Sequence, residues 1–243
     1  MSRDQVYFIS DAHLGAPNPV RRHRAQEDAL IGFLRSIRDD ADVLYVVGDL
    51  FDFWFEYHSV VPVHGARVLF ELYGLVQAGV RVVYLPGNHD IWLGAYLQEQ
   101  VGLELTDGPI EVVHQGRRLF LAHGDEFRGD LKFWVSRAVL KHPVCIRLFR
   151  WLHPDLGAFL ARRFSRFSDH RGRRRPDVDP NVFLTAAEEK IAAGADLVIC
   201  GHYHRVLQQA IGAGRLIILG DWVKLDTYAV LADGEIEVKR WEG

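Results

Sequence analysis

The first half of the chain alternates strand-like apolar runs with helical periodicities. Three apolar runs rich in β-branched residues predict strands at Val6–Ser10, Val43–Val47 and Val80–Leu85. Between them, apolar residues recur at helical spacing over Arg24–Arg38 and Ala66–Ala78, and Gly79 follows where a helix C-cap glycine belongs. Such alternation predicts an α/β fold whose strands are largely parallel.

The second half is predicted to be richer in strands. Gln115–Gly116 separates the apolar runs Ile110–His114 and Arg118–Ala122, a pattern typical of a two-residue hairpin. Asp179–Pro180 predicts the cap and first turn of a helix to about Ala193. Four further runs predict strands at Leu197–Cys200, Leu216–Leu219, Tyr228–Leu231 and Ile236–Trp241. Two sheets packed face to face with helices outside would use all these elements, so we expect one domain over residues 1–243, a four-layer α/β/β/α sandwich.

One segment, Leu131–Ser168, is rich in aromatic and basic residues, and Pro143 and Pro154 divide it into two or three helical pieces. Between Arg128 and Arg175 there are thirteen Lys and Arg against three Asp and Glu, although the whole chain carries a net charge of −3. We therefore expect a helical insertion at about 128–175. It is either a covering of helices with snorkelling basic side chains or a lid that binds lipid or an anionic membrane surface, and the two are compatible.

The composition indicates where such a protein would work. The N-terminus has no long apolar stretch typical of a signal peptide, and no run approaches the length of a spanning helix. Cys145 and Cys200 lie far apart in apolar contexts, which favours reduced thiols. We expect a cytoplasmic protein with no nucleic-acid partner.

Five apolar runs stop at clusters of Asp, Asn and His: Phe8–His13, Val46–Asp52, Leu85–Asp90, Leu121–Glu126 and Ile199–His204. Side chains at the carboxyl ends of neighbouring strands converge on one crevice in an α/β sheet. They supply seven candidate metal ligands: Asp11, His13, Asp49, Asn88, His123, His202 and His204.

This mixed oxygen and nitrogen set suits Mn²⁺, Fe or Zn²⁺ better than Mg²⁺ or Ca²⁺. A single structural zinc needs only four ligands, usually rich in cysteine. Seven ligands can serve two ions if one carboxylate bridges them, and Asp49 is the natural bridge. Two such ions can clamp the attacking and leaving oxygens of a displacement at phosphorus. We therefore expect two ions, with Mn²⁺ the first choice.

The series D-x-H, G-D, G-N-H-D, H-G-D and G-H-x-H resembles the motifs of the calcineurin-like metallophosphoesterase superfamily. Gly48–Trp54 and the basic insertion after H-G-D resemble the UDP-2,3-diacylglucosamine hydrolase family, the pyrophosphatases of lipid A biosynthesis. That resemblance implies cleavage of a UDP-linked acylated sugar to UMP and 2,3-diacylglucosamine 1-phosphate, at the cytoplasmic face of the inner membrane. It also implies two ligand sets that share Asp49. One ion would be held by Asp11, His13, Asp49 and His204, and the other by Asp49, Asn88, His123 and His202.

Several neighbouring residues are expected to act on the substrate. Asn88 would stabilise charge on the phosphoryl oxygens, and His89 would donate a hydrogen bond or proton to the leaving oxygen. Asp90 would orient His89, support the metal site from behind its ligands, or cap a helix that begins at Ile91. Four residues are substrate-binding candidates: Arg162, Arg163 and Arg166 for the diphosphate or bilayer, and Trp54 for an acyl groove. For Trp54 and its aromatic neighbours, plain core packing is the alternative.

Three positions depart from the better-known proteobacterial hydrolases. His89 stands where those enzymes place Arg, and Tyr203 and Val206 replace a Thr and a Pro. These departures leave open a soluble phosphoesterase that acts on nucleotides or phosphomonoesters. A non-catalytic scaffold of the same fold is a third hypothesis, which the complete ligand set disfavours.

Overall fold

The computed structural model describes residues 3–16, 23–129, 131–170 and 179–243. Its first sheet has the strand order β11-β10-β1-β2-β3-β4. The strands are β1 (Gln5–Ile9), β2 (Ala41–Val47), β3 (Arg81–Leu85), β4 (Glu104–Leu105), β10 (Thr227–Ala232) and β11 (Glu235–Arg240). Strands β1 to β4 run parallel, and the hairpin β10–β11 adds an antiparallel edge. Helices α1 (His23–Ser36) and α2 (Ala66–Gln77) make the parallel crossovers.

The second sheet has the order β5-β6-β7-β9-β8. Its strands are β5 (Ile110–His114), β6 (Arg117–Ala122), β7 (Leu197–Cys200), β8 (Val206–Ile211) and β9 (Gly214–Leu219). The three central strands are parallel, and the outer two are antiparallel to their neighbours. Helix α6 (Pro180–Ala192) precedes β7.

Alternation along the strands divides the core into layers, because successive side chains point to opposite faces of a sheet. Val6 and Phe8 of β1 pack between the sheets, against residues such as Leu121 of β6. Tyr7 and Ile9 point the other way, into a cluster with α1 and α2. A third cluster joins α6 to the outer face of the second sheet. The expected four-layer α/β/β/α sandwich is confirmed.

Local turn chemistry also follows the sequence. Gln115 and Gly116 both have positive φ, 50° and 77°, as a two-residue type I′ hairpin requires. The Asp179 side chain accepts the Asn181 N–H at 3.0 Å and caps α6. The edge strand β8 was not predicted. Its sequence, VLQQAI, is mostly polar or exposed and lacks a buried alternating face.

The insertion forms three helices: α3 (Leu131–Lys141), α4 (Pro143–Arg150) and α5 (Pro154–His170). Pro143 and Pro154 are the first residues of α4 and α5, which confirms the predicted division. The Trp92 indole donates to the Leu140 carbonyl oxygen at 2.9 Å, and Arg137 pairs with Asp125 at 3.0 Å. The insertion is thereby attached to the loops after β3 and β6. No helix among the described residues is long and apolar enough to cross a membrane.

Candidate metal centre

The strand ends bring the predicted ligands together. Asp11, His13 and His204 form one cluster, and Asp49, His123 and His202 form another. In each cluster, one ligand atom from every residue lies within 4.8 Å of the others. Motifs from β1 and β2 of the first sheet therefore meet motifs from β6 and β7 of the second.

The first cluster is held at short distances. The Nε2 atom of His204 lies 3.3 Å from Oδ1 of Asp11, and Nε2 of His13 lies 3.7 Å from the same oxygen. The two Nε2 atoms are 3.2 Å apart. All three side chains thus point at one spot.

Asp49 connects this cluster to the second. Its Oδ2 lies 3.7 Å from Nε2 of His13 and 3.2 Å from Nε2 of His123. The same His123 nitrogen is 3.3 Å from Oδ1 of Asn88, and the His123 and His202 rings lie 5.1 Å apart. Asp49 therefore occupies the position from which one carboxylate can serve both clusters.

The hydrogen bonds of the histidine rings indicate whether their other nitrogens can bind a metal ion. Nδ1 of His123 lies 3.0 Å from the Val47 carbonyl oxygen, and Nδ1 of His204 lies 3.4 Å from Oδ2 of Asp221. A neutral ring that donates from Nδ1 presents a lone pair at Nε2. These lone pairs converge on carboxylate oxygens, and the buried Oδ1 of Asp11 has no hydrogen-bond partner. A divalent cation satisfies all of these acceptors together, so the residues fit divalent metal ions.

The buried charges act strongly on one another. Burial favours the neutral acid, but His204 and His13 hold the pKa of Asp11 well below its ordinary value. Likewise, burial opposes a charged imidazole, yet Asp49 raises the pKa of His123 well above its ordinary value, so a proton and a metal ion compete for Nε2 of that ring. The site therefore holds ionised carboxylates in a buried place, which attracts any cation that reaches it.

Five ligand residues have left-handed backbone: φ is 54° at Asp11, 45° at His13, 54° at Asp49, 66° at His202 and 55° at His204. Residues with side chains adopt this region rarely, at a cost of about 1–3 kcal/mol each. Hydrogen bonds hold the conformation, such as that from the His202 N–H to Oδ2 of Asp11 at 2.8 Å. Strain concentrated at these residues is typical of a functional site.

Two glycines make room for the ligands. A Cβ atom on Gly87 would lie 2.1 Å from Oδ1 of Asp49, and one on Gly48 would lie 2.3 Å from Nδ1 of His123. Both distances are far shorter than any real contact. The glycine of G-D and that of G-N-H-D are therefore required by the packing of the site.

His89 lies beside the first cluster, with its ring centroid 4.6 Å from that of His13. Its Nδ1 lies 3.2 Å from the Asp52 carbonyl oxygen and 3.4 Å from Oδ1 of the same residue. Burial lowers the pKa of His89, but Asp49 and Asp52 outweigh it and raise that pKa to about 10. The raised pKa favours a protonated His89 ring, and one of its nitrogens lies within 4.8 Å of ligand atoms of His13 and Asp49.

Two of the three expectations for Asp90 are wrong, and the third, support of the site from behind its ligands, agrees with its contacts. It neither orients His89 nor caps a helix at Ile91, since that segment is a turn. Its buried carboxylate instead accepts the N–H groups of Gly87 at 2.8 Å and of Asp49 and Phe51 at 3.3 Å, together with the Tyr84 hydroxyl. Asp90 fixes the loops that carry the ligands.

Sequence reasoning missed the roles of Asp52 and Asp221, which contact His89 and His204. A signal was present for each. Asp52 ends the same run that carries Asp49, and Asp221 follows β9 as the end of a sixth apolar run. Neither aspartate stands in a motif with a histidine, so the sequence did not indicate which histidine each would contact.

A cavity of about 750 Å³ lies between the 57–64 segment and the start of α5. It is lined by Leu14, Phe53, Tyr57, Val60, Val61, Pro62, Val63, His64, Pro154, Asp155, Ala158, Phe159 and Arg163. Leu14 and Phe53 in its wall are the chain neighbours of the candidate ligand His13 and of Asp52, whereas the candidate ligands themselves do not line the cavity.

The structure places the predicted substrate-binding residues in different environments. Arg163 lines this cavity, whereas the side chains of Arg162 and Arg166 lie outside the described part of the chain. The expectation for Trp54 is wrong, because its side chain is 0% exposed and packs on Phe51 at a ring distance of 4.5 Å. Trp54 belongs to the core, the alternative considered for it.

Residues 5–206 match the family model for calcineurin-like phosphoesterase, and the chain belongs to that family. Within it, the chain is similar to two curated proteins named UDP-2,3-diacylglucosamine hydrolase. It is 33% identical to the one from Porphyromonas gingivalis, over 94% of both chains. It is also 33% identical to the one from Aeromonas hydrophila subsp. hydrophila, over 94% of this chain and 95% of the relative. A solved structure described as a novel archaeal phosphodiesterase has the same fold, with a TM-score of 0.50 and 14% identity over 97% of this chain and 98% of that one.

Proposed function

We propose that this protein hydrolyses the diphosphate of UDP-2,3-diacylglucosamine, giving UMP and 2,3-diacylglucosamine 1-phosphate. The observation that carries the proposal is the cavity of about 750 Å³ whose wall includes Leu14 and Phe53, the chain neighbours of His13 and Asp52, together with apolar side chains and the start of α5. The curated relatives supply the substrate, and the cavity supplies a place for its acyl chains.

The proposed centre holds two divalent ions, with Mn²⁺ the first choice. One would be held by Asp11, His13, Asp49 and His204, and the other by Asp49, Asn88, His123 and His202. Support comes from the place of Asp49 between the clusters, 3.7 Å from His13 and 3.2 Å from His123. When bound, such ions acidify water and neutralise charge on phosphoryl oxygens.

Two side chains would act directly on the phosphate. Oδ1 of Asn88 faces His123 at 3.3 Å, which leaves the Asn88 amide N–H₂ group to donate to a phosphoryl oxygen. His89, held through Nδ1 by Asp52, would donate from Nε2 to the leaving oxygen. Asp49 accepts the His89 backbone N–H at 2.8 Å, so donor and ligand keep a fixed separation.

The substrate would lie with its diphosphate at the clusters and its acyl chains in the cavity. Leu14, Phe53, Val61 and Phe159 offer apolar walls. Arg163, on α5, brings a positive charge to the same cavity, where it can pair with a phosphate oxygen. This arrangement accounts for an apolar pocket so close to a highly charged centre.

We also propose that the insertion contacts an anionic membrane surface. Its exposed apolar side chains, here called the insertion surface, are Leu131, Trp134, Val135, Val139, Val144, Leu148, Trp151, Leu156, Phe159 and Leu160. Arg147 and Arg163 are exposed on the same helices. Aromatic and aliphatic residues beside basic ones suit the headgroup region of an anionic bilayer, where an acylated substrate would be found.

A second candidate function is hydrolysis of phosphate esters of simple alcohols or nucleotides. The His89–Asp52 pair favours it, because an alkoxide leaving group needs a proton from a general acid. A phosphate leaving group, as in a diphosphate, is a much weaker base and needs that proton less. The charged donor thus extends the chemistry of the site beyond diphosphates.

Mn²⁺-dependent turnover of three substrates separates the two candidates. UDP-2,3-diacylglucosamine is compared with UDP-N-acetylglucosamine and with p-nitrophenyl phosphate at equal concentration. Turnover of the acylated substrate far above the other two supports the diphosphatase. Equal or faster turnover of the water-soluble compounds would contradict it and support the second candidate.

A further inference from the structure

Asp221 lies two residues after the end of β9, and the two oxygens of its carboxylate have different partners. Oδ1 accepts the backbone N–H groups of Val223 at 3.0 Å, Lys224 at 2.7 Å and Leu225 at 3.2 Å. Oδ2 lies 3.4 Å from Nδ1 of His204. The residue is only 3% exposed. Three N–H donors therefore fix the carboxylate, and the fixed carboxylate faces the histidine.

The same segment is tied to a second ligand. The N–H of Trp222 donates to the carbonyl oxygen of Asp11 at 3.1 Å. The turn that carries Asp221 is thus set against the strand end that carries Asp11, and His204 lies between them. Nε2 of His204 faces Oδ1 of Asp11 at 3.3 Å. His204 is in this way held between two carboxylates, one at each ring nitrogen.

We propose that Asp221 is a positioning residue that fixes His204 in the Nδ1–H tautomer and so presents the Nε2 lone pair to the metal ion. A carboxylate at one nitrogen of a metal-binding imidazole sets the ring orientation and raises the basicity of the other nitrogen. Asp221 would act on the ion held by Asp11 and His204 and leave the ion beside His123 unaffected. This inference rests on the two-ion centre proposed above.

Replacement of Asp221 by Asn separates the two tasks of the carboxylate. The three N–H donors require an acceptor at the Oδ1 position, so the amide oxygen stays there and the turn keeps its hydrogen bonds. The amide N–H₂ group then faces His204 and donates to Nδ1. That ring must carry its proton on Nε2, the nitrogen that the ion needs. Ala, by contrast, removes both functions and weakens the turn as well.

The test is Mn²⁺ binding by calorimetry to the full-length protein and to the variants Asp221→Asn and Asp233→Asn. Asp233 is an exposed carboxylate in the β10–β11 turn, where φ is 52° and Asn is well tolerated, so it is the matched control. We expect one of two Mn²⁺ equivalents to bind about 10–100-fold more weakly in Asp221→Asn and neither to change in Asp233→Asn. In a His204→Ala background, Asp221→Asn should add no further loss.

Unchanged Mn²⁺ affinity in Asp221→Asn would overturn the inference, as would an equal loss in the His204→Ala background. Failure of the unsubstituted protein to bind two ions would instead contradict the proposed centre. If Asp221→Asn does not fold, imidazole ¹⁵N shifts of the unsubstituted Zn²⁺-loaded protein give the answer. The Nδ1–H tautomer at His204 supports the inference, and the Nε2–H tautomer refutes it.

Discussion

Gly87→Ala should disable the metal centre by displacing Asp49, because the new Cβ would clash with both its carboxylate and its backbone nitrogen. The new Cβ would lie 2.1 Å from Oδ1 of Asp49 and 2.7 Å from its Cγ. An ordinary contact begins near 3.4 Å, so Asp49 must retreat by about 1.3 Å, the difference between these distances. Metal–ligand distances tolerate only about 0.2 Å. The carboxylate can then no longer serve both clusters.

The size of the effect follows from this displacement. A misplacement of about 1 Å at a reacting centre costs roughly 100-fold in rate. The forced overpacking should also lower the free energy of unfolding by about 1–3 kcal/mol. Because the φ of Gly87 lies outside the left-handed region, Ala adds steric bulk without backbone strain.

The assay compares Gly87→Ala with Gly108→Ala, because a Cβ at Gly108 would meet nothing within 4 Å. Mn²⁺-dependent turnover of UDP-2,3-diacylglucosamine and denaturant unfolding are measured for both variants. We expect a roughly 100-fold loss for Gly87→Ala and little change for the control. Turnover of the two variants within about threefold of each other would refute the assignment of Asp49, since a threefold ratio is far smaller than the roughly 100-fold loss expected from the displacement.

Three further perturbations test other parts of the account. Asp52→Asn should slow hydrolysis of alkyl phosphate esters by about 100-fold, because His89 loses its carboxylate partner, while diphosphate cleavage falls less. Equal losses of steady-state kcat for the esters and for the diphosphate would contradict a proton-donating His89. Chelation of the metal should lower the midpoint of thermal unfolding, since each ion present at 100 times its Kd stabilises the fold by about 2.7 kcal/mol; an unchanged midpoint would show that no ion binds. The double variant Leu148→Ser, Trp151→Ser should weaken sedimentation with anionic vesicles, whereas Phe70→Ser, at an exposed site on α2, should not. Similar vesicle binding by the double variant and by Phe70→Ser would contradict membrane contact through the insertion surface.

The ligand set could be predicted because it depends on one simple rule. Strand ends of an α/β sheet meet, and the five motifs each follow a strand. Asp11 and His204 are 193 positions apart in sequence, yet their side chains lie 3.3 Å apart. Local patterns suffice here, since each strand carries its own candidate ligands and the strand ends of both sheets meet at one place.

Partners that depend on three-dimensional contact were less predictable. His89 uses Asp52 rather than its neighbour Asp90, because the chain turns so that Asp90 points inward at backbone N–H groups. Asp221 contacts His204 from a strand end with no histidine motif of its own. In the aromatic run, Trp54 and Phe55 are both buried in the core, whereas Phe53 lines the cavity. Such choices depend on packing, which short sequence windows do not determine.

The central claim is that a two-ion centre sharing Asp49 cleaves the diphosphate of an acylated UDP-sugar. Its most direct test is UMP release from UDP-2,3-diacylglucosamine in Mn²⁺, measured for the unsubstituted protein and for Asp49→Ala. We expect equimolar UMP and acylated sugar 1-phosphate from the unsubstituted protein and no measurable product from the variant. Comparable UMP release by the variant, or none by the unsubstituted protein, would contradict it.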